Sequence, residues 1–93
     1  METLDRAGLA AQVAAGAVLF DLRPAPLPVF GLTPRHLDVA ALQRGELPDL
    51  PRETPIVLVC WRGQVSELAG LYLEAAGFAS IYHLAGGVRA FPA

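Results

Sequence analysis

Four consecutive residues, Ile56-Val57-Leu58-Val59, are apolar and rich in β-branched side chains. Successive side chains of a strand point to opposite faces, so a strand of this composition must be covered on both. That is the condition of a central strand in a parallel sheet packed between helices. Val18-Leu19-Phe20-Asp21-Leu22 and Ile81-Tyr82-His83-Leu84 read as two further strands, and Leu37-Asp38-Val39 as a short one. Helix signals alternate with them. Thr3 serves as an N-cap for a helix over about residues 4–15, with an apolar stripe of Leu4, Ala7, Ala11 and Ala14 and a stop at Gly16. Ala40 to Arg44 reads as a helical turn or two. Ser66 caps a longer helix with Glu67 in its first turn, an apolar stripe of Leu68, Leu71, Tyr72 and Ala75, and an end at Gly77. Pro24, Pro26 and Pro28 make the intervening chain a loop, and Gly86-Gly87 makes a turn before a last helical turn over Val88 to Phe91. The pattern predicts an α/β fold: a small doubly wound, mostly parallel sheet with helices on both faces, formed by residues 1–93 as one domain.

Composition narrows the function classes. The net charge is −2 and no basic run exists, so binding of nucleic acid through its phosphates is not expected. The longest apolar run, Ile56 to Trp61, is far too short to span a bilayer, and the N-terminal residues lack the basic start and apolar centre of a signal peptide. The single cysteine excludes an intramolecular disulfide and a Cys-x-x-Cys redox mechanism. A lone free thiol suits a reducing compartment, and a cytoplasmic location is expected.

That cysteine is Cys60, at the C-terminal end of the central strand. Ligands of open α/β sheets sit beyond the carboxyl ends of the strands. Trp61-Arg62-Gly63-Gln64-Val65 must turn tightly to begin a helix near Ser66, and Gly63 provides the backbone freedom. Backbone N–H groups of such a loop converge on an anion site, and the helix dipole adds positive potential there. A thiol so placed is acidified, and the thiolate is the reactive form. The competing account of Cys60 is a small buried hydrophobe.

The ordered motifs weigh against that account. Cys60-Trp61-Arg62-Gly63-Gln64-Val65-Ser66 resembles the active-site loop of the rhodanese family, which opens on Cys, carries Gly near the fourth position and leads into a helix at Ser or Thr. Leu19-Phe20-Asp21-Leu22-Arg23 looks like the family's Asp-x-Arg strand end, and Gly31-Leu32-Thr33-Pro34 partly fits its Gly-His-Ile-Pro segment. Ala76-Gly77-Phe78, then Gly86-Gly87-Val88-Arg89-Ala90-Phe91, resembles its Gly-Gly-x-x-Ala-Trp ending. The likeness runs over about residues 4–91. Departures are Leu32 for His, Arg35-His36 for a Gly-Ala pair and Gln64 where many loops have a second Arg.

The resemblance implies a sulfurtransferase. The thiolate of Cys60 takes the outer sulfur of a donor such as thiosulfate and holds it as a persulfide. It then passes the sulfur to a thiophilic acceptor, without metal or organic cofactor. Arg62 is placed to grip an anionic donor. Trp61 either shields the persulfide or simply covers the sheet edge. Gly63, Gln64 and Val65 act through their backbone, and Ser66 acts mainly as the helix cap. Asp21 and Arg23 support the site by pairing at the neighbouring strand end. The alternative within the same family is a sulfur-relay or interaction module served by a protein donor or acceptor, with little turnover on small donors.

Other chemistries fit poorly. His36 and His83 lack metal-ligand spacing to each other or to Cys60, and a surface or sheet-flanking role is expected of them. Ser66 lacks the Gly-x-Ser-x-Gly elbow of a hydrolase. A tyrosine-phosphatase loop needs Arg six positions after its Cys, where this chain has Ser66.

Overall fold

The computed structural model describes residues 1–25 and 27–91, so Pro26 of the expected proline loop lies outside the described residues. The chain runs through β1 (Glu2–Leu4), α1 (Arg6–Ala14), β2 (Val18–Asp21), β3 (Arg35–His36), α2 (Val39–Gln43), β4 (Ile56–Val59), α3 (Gln64–Ala75) and β5 (Ile81–Leu84), and ends in a 3-10 turn (Val88–Ala90). All strand pairs are parallel, in the order β1-β5-β4-β2-β3. The expected α/β architecture is the one found.

The four residues of β4 are each 0% exposed and divide by face. Ile56 and Leu58 join Phe20, Leu42, Leu73 and Ile81 beneath α2 and α3, and Val57 and Val59 join Leu9, Leu19 and Leu84 beneath α1. Cys60 continues the Ile56–Leu58 alternation, which turns its side chain toward α3. The core under α3 is therefore also the floor of the cysteine site. Leu58→Ala removes a fully buried side chain from the middle of it, and should cost about 2–5 kcal/mol. Such a loss is severe for a domain of this size. Urea unfolding followed by circular dichroism should show the midpoint falling with little change in slope.

Several local expectations are corrected. The first residues form a strand, not a helical turn: Glu2, Thr3 and Leu4 pair with Tyr82, His83 and Leu84. Thr3 is not a cap. Asp5 caps α1, its carboxylate accepting the Gly8 N–H at 2.8 Å. Both residues are good caps, and only the distant partner β5 selects between them. Leu9 and Val13 face the core from α1, while Ala7, Ala11 and Ala14 face solvent. The short strand is Arg35–His36, paired with Phe20 and Asp21, and Asp38 caps α2 through the Ala40 N–H at 3.1 Å.

The largest correction concerns α3. It begins at Gln64, with Gly63 at its N-cap. Its buried residues are Ser66, Ala69, Gly70 and Leu73, whereas Leu68, Leu71 and Tyr72 are exposed and so is Ala75. Small residues let the helix lie close to the sheet. At Gly70 a Cβ would collide with the Met1 sulfur and lie 3.4 Å from Ile81 Cγ2. The large apolar residues are thereby left on the outer side.

Candidate active site

Cys60 follows the last residue of β4 and is 4% exposed. Gly63 has φ 90°, a conformation that glycine adopts without strain, and it folds the loop back onto the sulfur. The Gly63 N–H donates to Cys60 Sγ at 3.0 Å and the Ser66 N–H at 3.4 Å. Ser66 is fully buried. Its hydroxyl donates to the Gly63 carbonyl at 3.1 Å and lies 3.5 Å from Cys60 Sγ. Ser66 therefore does not cap α3. It lies in the first turn and lines the thiol with both its N–H and its hydroxyl.

Burial alone pushes the Cys60 thiol up. Against it act the Ser66 hydroxyl and the backbone N–H groups of Ser66, Gly63 and Arg62, and the balance lies below the ordinary thiol value. A lowered value keeps thiolate present at pH where a free cysteine is protonated. The rate of alkylation by iodoacetamide, measured against pH, should have its midpoint below the free-thiol value of about 8.5. Ser66→Ala, which removes a hydroxyl that accepts from the thiol and can turn its own proton from the Gly63 carbonyl to the thiolate, should move that midpoint upward.

The loop is held from behind by the chain after β5. The Val88 N–H donates to the Cys60 carbonyl at 2.9 Å and the Arg89 N–H to the Trp61 carbonyl at 3.1 Å. A Cβ at Gly87 would lie 2.5 Å from the Trp61 carbonyl oxygen and 2.6 Å from the Arg62 nitrogen. Glycine at 87 is thus required by close approach of two backbones, in addition to its φ of 74°.

The remaining site residues take distinct places. Trp61, Arg62, Gln64 and Val65 surround a cavity of about 150 Å³ that opens on Cys60. Trp61 is 54% exposed and Arg62 is exposed at the rim. Among the described residues no hydrogen bond runs from Gln64 or Val65 to the sulfur. Asp21, 0% exposed, accepts from Arg23 Nε at 3.0 Å and from Arg23 Nη2 at 2.6 Å. The same guanidinium donates to the Leu27 carbonyl at 3.3 Å. The expected pair exists, but its bonds tie up its own loop, not residues 60–66. Asp21 lies beside Val59 in register, next to the end of the cysteine strand.

His83, expected only to flank the sheet, also reaches the site. His83 Nδ1 lies 3.5 Å from the Ser66 hydroxyl, and Nε2 lies 3.2 Å from Thr3 Oγ1. The alternation of β5 puts His83 on the face of Ile81, but the meeting with Ser66 also needs the β4–β5 register, in which Leu58 pairs with His83. Among the described residues no cluster of three or more metal-ligating side chains forms, and no helix is long and apolar enough to cross a membrane.

Comparison with known proteins gives the arrangement a family. The family model described as "Rhodanese-like domain" matches residues 6–93. The chain is 38% identical over 77 residues to the thiosulfate sulfurtransferase GlpE of Pseudomonas putida, a match that covers 77% of this chain and 66% of that protein. The crystal structure of a rhodanese homolog from Thermus thermophilus superposes with a TM-score of 0.80 at 33% identity, over 97% of this chain and 100% of that one. A human single-domain sulfurtransferase shares the fold at 19% identity, with a TM-score of 0.74 over 94% and 91% of the two chains. With the family model matching almost the whole length, the chain belongs to the rhodanese-like domain family.

Proposed function

We propose that residues 1–93 act as one rhodanese-like unit that moves sulfane sulfur through a persulfide on Cys60, with thiosulfate as a competent donor. The thiolate attacks the outer sulfur of thiosulfate. A new S–S bond forms, the bond to the sulfonate sulfur breaks with its electron pair, and sulfite leaves. The terminal sulfur of Cys60–S–S⁻ is then taken by a thiophilic acceptor. With cyanide the products are thiocyanate and the original thiolate, so no external oxidant or reductant is consumed.

One observation carries the reading: a buried sulfur that accepts the N–H groups of Gly63 and Ser66 at the start of a helix. Donors fixed in this way stabilise an anionic sulfur without rearrangement. Gln64 and Val65, which place no hydrogen bond on the thiol, supply the next backbone N–H groups in line for the outer sulfur. Arg62 at the rim holds the sulfonate of the donor, and Trp61 walls the cavity from bulk water. The lone thiol suits work in a reducing compartment such as the cytoplasm. Intact mass spectrometry after thiosulfate treatment tests the reading. The expected result is a gain of one sulfur, removed by cyanide. An unchanged mass overturns it.

A second reading is a relay module whose donor or acceptor is a protein. It is favoured by the exposed apolar residues Trp61, Val65, Leu68 and Leu71, which run from the cavity mouth along α3. The kinetics of Arg62 described below separate the two.

A further inference from the structure

A second, larger cavity of about 520 Å³ lies on the other side of Trp61. Arg6, Arg23 and Arg89 line it with Phe30, Phe91 and Trp61. Three of the seven arginines of a net-negative chain therefore meet at one concave surface. Arg23 is neutralised by Asp21. Among the described residues neither Arg6 nor Arg89 forms an ion pair.

Two residues here contradict local preference. Arg6 occupies the first position of α1, where the helix dipole disfavours a cation. Phe30 has φ 50°, the one non-glycine residue with positive φ among those described. It begins the two-residue turn Phe30-Gly31, closed by hydrogen bonds of 2.8 Å in both directions between Val29 and Leu32. Positive φ at both central positions favours Asn-Gly, not Phe-Gly. The two exceptions meet: the Arg6 guanidinium lies 4.4 Å from the centroid of the Phe30 ring, and the Phe91 ring stands edge-on to that ring at 6.2 Å. Such departures from local preference persist where function holds them.

We propose that this cavity binds a small-molecule ligand of the nucleotide class, with a flat aromatic ring received by Phe30, Phe91 and Trp61 and phosphate groups received by Arg6 and Arg89. Its volume is in the range of ligand sites. Guanidinium groups grip phosphate oxygens in pairs, and the exposed face of Trp61, beside half-buried Phe30 and Phe91, can stack on a planar ring. The proposal does not need the thiol, and the two cavities have only Trp61 in common.

Trp61 is the only tryptophan and lines this cavity, so its fluorescence responds to occupancy, and variants at Arg6, Arg89 and Phe30, which do not line the smaller cavity, tell which of the two is filled. Titration with adenosine diphosphate should give a saturable change, with adenosine alone and inorganic pyrophosphate each weaker by about tenfold or more, one charge-assisted hydrogen bond being worth that much. Arg6→Ala, Arg89→Ala and Phe30→Asn should each weaken the diphosphate by a similar factor, about tenfold, with unchanged circular dichroism. Cys60→Ser should bind it as tightly as wild type. The proposal is overturned by absence of a saturable change, by variants that bind as wild type does, by pyrophosphate binding as tightly as the diphosphate (a plain anion site), or by adenosine doing so (an apolar patch).

Discussion

Cys60→Ser should reduce thiocyanate formation from thiosulfate and cyanide to background, a loss of roughly a thousandfold or more, as removal of a covalent nucleophile does. The substitution is nearly isosteric, and the donors remain: the Gly63 and Ser66 N–H groups that reach Sγ at 3.0 and 3.4 Å stay available to a hydroxyl oxygen. The fold should survive, with an unaltered circular dichroism spectrum and unfolding midpoint. A serine hydroxyl is not ionised near neutral pH and forms no persulfide. The variant should also gain no mass with thiosulfate. Turnover equal to that of wild type would remove Cys60 from the reaction.

Arg62→Ala should weaken donor use by about 1.5–3 kcal/mol, the worth of a charge-assisted hydrogen bond, or about ten- to a hundredfold in kcat/KM for thiosulfate. Thiosulfate brings two negative charges to a cavity whose wall is otherwise Trp61, Gln64 and Val65, with Arg62 its one charged lining residue. Cyanide needs no such grip, so its kcat/KM should change much less. The difference should shrink at high salt, because the guanidinium is exposed and screened. Steady-state rates with each substrate varied in turn decide the matter. Equal loss for both would assign Arg62 to the shape of the loop. Loss for neither would favour the relay reading, in which the donor is a protein persulfide.

The fold class and the place of Cys60 at the end of the central strand were legible because their signals are local. A run of four apolar residues can be satisfied only between two covered faces, and β4 is fully buried for that reason. Its C-terminal end is where an open α/β sheet leaves room for a ligand, and Cys60 follows directly in sequence. Gly63, the short loop and the apolar start of β5 are likewise patterns a few residues long. Together with the ordered motifs they were sufficient for the fold class and the family.

Contacts between distant segments were decided by tertiary structure alone. Thr3 and Asp5 are equivalent as caps until β5, some 80 positions away, pairs with Glu2–Leu4 and takes Thr3 into the sheet. On α3 the periodicity of large apolar residues selects the wrong face. The helix meets the sheet along Ser66, Ala69, Gly70 and Leu73, and three of these four are small because close approach leaves little room for side chains there. That rotation brings the Ser66 hydroxyl to the sulfur and to His83, and it turns Leu68 and Leu71 outward. The Gly86-Gly87 pair was visible as a turn, but its need for glycine at 87 comes from the Trp61–Arg62 backbone that lies against it. Arg6, Phe30 and Arg89 carry no common motif. They meet only because the segments that follow β1, β2 and β5 all leave from the carboxyl end of a parallel sheet, and no pattern within any one segment encodes that meeting.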